Sequence, residues 1–333
     1  MANEFRLGDL VVPPGHVVRH AIELIELADG SKVSLPLLVI NGVADGPRLY
    51  LGAAIHGDEV SGIEILARAC AQVRPDNLAG TIVCVLVQNP LAFQAEHRVP
   101  VGLYLKSPLD QTPIDPWASF PGNAHGNFAE RLASLLFSLM TTCDYAIDVH
   151  TPTRGGRYVP ITILPHARLG EAFRRAEALA LAFGSGYIMQ TTEGFYVQDG
   201  ILCVEATRAG VPAFTFEIGE GGRLEADLIP IGVRCMLNAM RFLRMLPGDV
   251  EPPPETVVMT RFVGIRATAG GLLHTEVPLG VRVRQGDVLA RIYSVYGDER
   301  ETIRAPIDGV FVRMTTFPSV TAGERVVTLG VER

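Results

Sequence analysis

Residues 48–73 read RLYLGAAIHGDEVSGIEILARACAQV, and this stretch decides the fold. Its first eight residues are almost wholly apolar, the texture of a strand buried on both faces. An acidic, small-residue turn follows. Apolar side chains then return at helical spacing, at Ile63, Leu66, Ala67 and Cys70. A buried strand passing straight into a helix is the repeating unit of an α/β sheet.

The same unit recurs on both sides. Upstream, HAIELIEL and KVSLPLLVING read as strands bounded by turn residues. Downstream, TIVCVLVQNP and YAIDVH read as buried strands, with the amphipathic helix HGNFAERLASLLFSLM between them. RLGEAFRRAEALALAFG predicts a helix, VPAFTFEIG another buried strand and LIPIGVRCMLNAMRFLRML a long helix. The rhythm predicts an α/β domain over residues 1–250, its sheet covered by helices on both faces. Pro252, Pro253 and Pro254 then favour an extended linker. From about residue 255 the texture changes to short strands with glycine turns, so 251–333 are expected to form a small all-β barrel or sandwich.

Composition narrows the function. With 333 residues, 48% of them hydrophobic, two domains with buried cores are expected. A formal charge of -7 has the wrong sign for gripping phosphate backbones or anionic lipid, which argues against nucleic acid and membrane as partners. The opening MANEFRLGDLVVPPG lacks the basic start and apolar core of a signal peptide, and no apolar run approaches the roughly 18 to 20 residues that span a bilayer; a cytoplasmic location is expected. The five cysteines, Cys70, Cys84, Cys143, Cys203 and Cys235, are scattered and never paired as CxxC, so they read as buried small hydrophobes.

His56-Gly-Asp-Glu59 lies where a buried strand meets a helix, and ligands collect at such carboxyl edges of α/β sheets. Imidazole and carboxylate three residues apart can face one metal ion, although an isolated HxxE pair is as well explained by a helix-capping histidine with a solvated glutamate. His150 closes the strand YAIDVH at another such edge. Two histidines and a carboxylate are the ligand set of a catalytic zinc site, with a fourth position left for water. Asp148, on the same strand face as His150, either fixes a ligand histidine's tautomer or caps a nearby turn. Glu217 ends the strand FTFEIG; a carboxylate there takes a proton from water and delivers it to a leaving amine, or else it is salt-bridged at a sheet edge.

Five ordered motifs carry a resemblance: HGDEVSG, then Asn89-Pro90 with the downstream Arg98, then Phe120-Pro-Gly122 followed by AERLA, then DVH, then FEIG. In these the chain resembles the succinylglutamate desuccinylase/aspartoacylase family, within the zinc carboxypeptidase-like superfamily, from about residue 45 to 330. The resemblance implies a mixed, largely parallel sheet flanked by helices, then a barrel-like β domain. It implies one zinc per chain held by His56, Glu59 and His150, with Glu217 as the catalytic carboxylate and Arg98 as the group that polarises the scissile carbonyl. A guanidinium suits that role because it is always charged and offers forked donors to a developing oxyanion.

One stretch departs from the family pattern. Where members read D-L-N-R-x-F-P-G and grip a substrate carboxylate with the Asn-Arg pair, this chain reads Asp115-Pro116-Trp117-Ala118-Ser119-Phe120-Pro121-Gly122. Trp117 offers a flat apolar face and one N–H. The substrate-binding candidates are therefore Asn89, Trp117, and Arg154 or Arg157, the last two on the glycine-flexed stretch TPTRGGRYVP after His150. The tail hairpins VRVRQGDVLARI and IRAPIDGVFVRM echo biotinyl and lipoyl domains, but the lysines of the chain are Lys32 and Lys106, far upstream, so a carrier role is excluded. The tail is left to shape the active-site mouth or to make the subunit contact of a homo-oligomer.

The expected function is a zinc-dependent hydrolase cleaving the amide bond of an N-acyl amino acid or related small acylated amine. A carboxypeptidase is the neighbouring alternative, and a non-catalytic binding module that kept the fold is the alternative of a different class.

Overall fold

A computed structural model describes residues 3–100 and 115–333, so Lys106 lies outside the described residues. The chain opens with a hairpin of β1 (Phe5–Leu7) and β2 (Leu10–Val12), then the antiparallel strands β3 (His16–Glu26) and β4 (Lys32–Asn41). The deciding stretch becomes β5 (Ala44–Ala53) and α1 (Ser61–Ala71). There follow β6 (Ala79–Val85), α2 (Pro90–Gln94), α3 (Phe128–Met140), β7 (Tyr145–His150), β8 (Gly156–Ile163), α4 (Gly170–Phe183), β9 (Tyr187–Met189), α5 (Leu202–Arg208), β10 (Ala213–Glu220) and α6 (Ile229–Phe242).

Strands β6, β5, β7 and β10 are mutually parallel and form the centre of the sheet; β4 and β8 flank them antiparallel. The sheet is thus mixed around a parallel core. Its two faces separate by the alternation of β5, since Leu49, Leu51 and Ala53 pack on one side and Tyr50 on the other. Helices α1, α4 and α6 cover the first face; α3, α5 and the N-terminal hairpin cover the second. Helix α1 buries Ile65, Leu66, Ala69 and Cys70, so its core face is turned from the Ile63, Leu66, Ala67, Cys70 set that spacing alone suggests. The rotation seats Gly62 against Ala53 and Val149, where any Cβ would fall 2.9 Å from the Ala53 methyl. Asn127 starts α3 in a capping box with Glu130.

After the proline linker the tail supplies β11 (Val257–Arg266), β12 (Gly271–Thr275), β13 (Arg282–Val283), β14 (Val288–Tyr293), β15 (Glu299–Arg304), β16 (Gly309–Thr315), β17 (Ser319–Val320) and β18 (Arg325–Glu332). The tail has a core of its own around Leu289, Ile292, Phe311 and Leu329. Yet it is not a bead on a string. β11 adds parallel to β9, β16 pairs with β8, and among the described residues twelve strands run as one sheet in the order β13, β16, β18, β11, β9, β8, β10, β7, β5, β6, β4, β3. The remaining tail strands, β15, β14, β12 and β17, form a second sheet. The start of the linker is tied down: Asn238 of α6 brackets Glu251 by donating to its carbonyl at 2.8 Å and accepting from its N–H at 2.9 Å.

Candidate active site

The parallel register sets the site. Ala53 pairs with Val149 and Glu217 pairs with His150, so β5, β7 and β10 end level with one another and deliver His56, His150 and Glu217 to one edge. Glu59 follows on the turn into α1. All four side chains are buried. Ligand atoms of His56, Glu59 and His150 lie within 4.8 Å of one another. Each histidine turns Nδ1 toward Glu59, His56 to Oε1 and His150 to Oε2, both at 2.8 Å.

The far side of each ring meets a carboxylate. Asp148 Oδ2 is 2.6 Å from His150 Nε2, and Asp115 Oδ1 is 3.0 Å from His56 Nε2. Asp148 is itself fixed, receiving the Trp117 indole N–H at 3.0 Å and the Gln88 amide at 2.7 Å, while Tyr50 donates to Gln88 at 3.1 Å. Asp115 also accepts from Arg98 at 2.8 Å. Partners behind both rings are how metal-ligating histidines are held in one orientation.

Charge tells the same story. Burial alone would push the His56 and His150 pKa values down, but Glu59, Asp115 and Asp148 outweigh it and both are raised. Burial would likewise raise Glu59; the two imidazoles outweigh it and hold it well below the usual carboxylate range. The cluster therefore draws positive charge into a buried pocket, and its two nitrogens and a carboxylate are the donor set of a catalytic zinc. The residues fit such an ion.

Glu217 sits differently. Burial first, then Glu59, push its pKa up against the opposing pull of His150, Tyr196 and Arg98. Tyr196 donates to its Oε1 at 2.7 Å, and Oε2 has no protein partner among the described residues. Arg98 reaches Glu59 at 3.4 Å and lines the same cavity of about 400 Å³ as Trp117, His150, Thr151, Phe195, Tyr196 and Glu217.

Three of the sequence candidates are elsewhere. The Asn89 side chain is buried and fully used, donating to the Ile55 carbonyl at 3.0 Å and accepting from the Ala92 N–H at 3.1 Å, so it ties the turn before His56 to the start of α2. Arg154 is exposed and pairs with Glu96 at 3.4 Å. Arg157 belongs to β8 rather than to a loop, because Tyr158, Val159, Ile161 and Ile163 are buried, and its guanidinium pairs with Glu225 at 2.9 Å. Sequence reasoning also missed Gln88, Tyr196 and the bracing role of Asp115, none of which sits in a motif that marks its partner.

The catalytic-domain model of the succinylglutamate desuccinylase/aspartoacylase family matches residues 45–243. N-alpha-acetyl-L-2,4-diaminobutyric acid deacetylase from Halomonas elongata is 27% identical over 309 residues, covering 89% of this chain and 85% of that one. Succinylglutamate desuccinylase from Pseudomonas aeruginosa is 26% identical, covering 74% of this chain and 73% of its own. A product-bound ectoine utilization protein from Ruegeria pomeroyi superposes with a TM-score of 0.81 at 26% identity, covering 96% of this chain and 97% of its own. A Silicibacter succinylglutamate desuccinylase shares the fold, with a TM-score of 0.83 at 23% identity over 97% of both chains. The named relatives define the class, that of amide-bond deacylases. This chain belongs to the succinylglutamate desuccinylase/aspartoacylase family.

Proposed function

We propose that the protein hydrolyses the amide bond of an N-acylated amino acid, using one zinc ion held by His56, Glu59 and His150. The observation that carries this reading is the convergence of those ligand atoms within 4.8 Å beside a buried Glu217 whose Oε2 is free of protein partners. A divalent ion bound there would polarise the scissile carbonyl and make water more acidic.

Glu217 accepts the proton of the attacking water at Oε2 while Tyr196 holds Oε1. It then returns that proton to the nitrogen of the departing amine. Arg98 donates to the carbonyl oxygen as it gains negative charge, and Asp115 keeps the guanidinium aimed. Asp148, braced by Trp117 and Gln88, keeps the His150 ring turned toward Glu59. The rings of Trp117, Phe195 and Tyr196, with centroids 5.3 and 5.5 Å from the indole, screen the site from bulk water.

The acetyl and succinyl groups in the relatives' names bound the acyl class carried over to this chain. The division into a catalytic unit over 1–250 and a β-rich unit over 251–333 is part of the same reading, supported by the separate core of the tail. The test is metal analysis of the purified protein, followed by hydrolysis of N-succinyl-L-glutamate and Nα-acetyl-L-2,4-diaminobutyrate with and without chelator. Stoichiometric zinc and chelator-sensitive release of amine are expected. Protein that binds no divalent ion, or is indifferent to the chelator, would remove the proposal.

A further inference from the structure

The wall of the catalytic cavity that faces the tail is basic. Arg266, Arg313 and Arg325, from β11, β16 and β18, line the cavity together with Glu59 and Glu217. In a chain of net charge -7, four arginines then meet two carboxylates there, and the mechanism already uses both carboxylates.

These three guanidiniums have no carboxylate within ion-pair distance among the described residues, although most other arginines that pair at all do so with Asp or Glu. Arg266 donates to the Gly323 carbonyl at 2.6 Å, and Arg313 lies 5.9 Å from the Tyr158 ring centroid. Arg266 and Arg325 are moreover register partners across β11 and β18. Like charges opposite on an antiparallel pair repel; solvent keeps that cost small at these two exposed side chains, and a bound anion would remove it.

The neighbouring backbone makes room for the side chains. A Cβ at Gly156 would lie 2.6 Å from the Arg313 guanidinium, and one at Gly264 would lie 2.6 Å from Arg325 Nε. Both glycines leave the guanidiniums in place, where a side chain would push these flexible ends aside.

Resting on the deacylase reading, we propose that Arg266, Arg313 and Arg325 form the subsite that grips a carboxylate of the substrate, which makes the substrate an acylated amino acid bearing more than one carboxylate. Forked guanidinium donors match carboxylate geometry bidentately. The tail thereby supplies the anion grip that the Trp117-Ala118 departure removes from the catalytic unit. It also separates the relatives' substrates. The free amine of diaminobutyrate would need an acid, and the described cavity offers only Glu59 and Glu217, both engaged in catalysis.

The test compares zinc-loaded parent with Arg313→Gln, Arg325→Gln and Arg266→Gln on N-succinyl-L-glutamate and on analogues in which each carboxylate in turn is an amide. Each variant should raise KM for the full substrate, by about ten- to a hundred-fold for a charged contact, with kcat nearly unchanged. The effect should vanish for one of the amide analogues. Equal losses on every analogue, no loss on any, or a parent that prefers Nα-acetyl-L-2,4-diaminobutyrate would overturn the proposal. Zinc content and thermal midpoint, measured alongside, separate recognition from misfolding. A second arm titrates glutarate and reads the fluorescence of Trp117, the only tryptophan. Binding that weakens in Arg313→Gln/Arg325→Gln supports the subsite, and unchanged binding overturns it. Should the parent hydrolyse none of the amides, the deacylase reading falls while this arm still judges the subsite.

Discussion

The indole N–H of Trp117 donates to Asp148 Oδ2 at 3.0 Å, the same oxygen that lies 2.6 Å from His150 Nε2. The residue that departs from the family pattern thus reaches the His56, Glu59 and His150 cluster through one carboxylate.

Trp117→Phe keeps a ring in place but removes the donor to Asp148. Partners behind a ligand histidine are typically worth ten- to a hundred-fold in metal affinity, so this variant should need about that much more free zinc for half-maximal activity. Asp148→Asn should do the same or more. The check is activity against buffered free zinc; parental affinity in both variants would detach the Trp117–Asp148 contact from the site.

Glu217→Gln keeps the shape and loses the proton acceptor. Turnover should fall by about a hundred- to ten-thousand-fold with zinc content intact. Metal loss accompanying the fall in rate would make Glu217 a ligand.

Tyr196→Phe tests the pH dependence. The Tyr196 hydroxyl stabilises charged Glu217, whose pKa is already raised chiefly by burial. Removing that hydrogen bond raises it further. Because the base must be charged to work, the acid limb of kcat/KM should move to higher pH in the variant. An unmoved limb, at constant zinc content, would show that this limb does not report Glu217.

Arg154→Ala and Arg157→Ala serve as contrasts to the tail arginines. Arg154 makes an exposed pair and Arg157 a half-exposed one with Glu225, and such pairs contribute about 0–1 kcal/mol to stability. Neither should alter KM for a carboxylate-bearing substrate. A carboxylate-dependent loss in either would bring that arginine back to the substrate.

All five cysteines are buried, and burial pushes the Cys143 and Cys235 thiols up to about 12. The thiolate is the reactive form. At pH 8 the folded protein should therefore resist a thiol reagent, and all five should label once the chain is unfolded. Fast labelling of the folded state would contradict the packing.

The strand-to-helix unit around His56 and the linear order of the chemical motifs were legible in the sequence, because hydrophobic period and turn residues are local properties. That Asp148 shares a strand face with His150 was legible as well, because the period of a strand fixes that neighbourhood; the choice between serving His150 and capping a turn came only with the 2.6 Å contact. The helix phase of α1 was not, since Ile65 and Ala69 are chosen by the close approach of Gly62 to β5 and β7. Nor was Arg157, which looked like part of a glycine loop until β8 found partners in β10 and β16. Arg154 and Arg157 carry the same charge in sequence as Arg313 and Arg325, and nothing local distinguishes a guanidinium paired with Glu225 from one facing the catalytic cavity. That choice was made by the pairing of β8 with β16 and of β9 with β11, contacts between segments far apart in the chain, which turn the tail from a trailing β unit into a wall of the site.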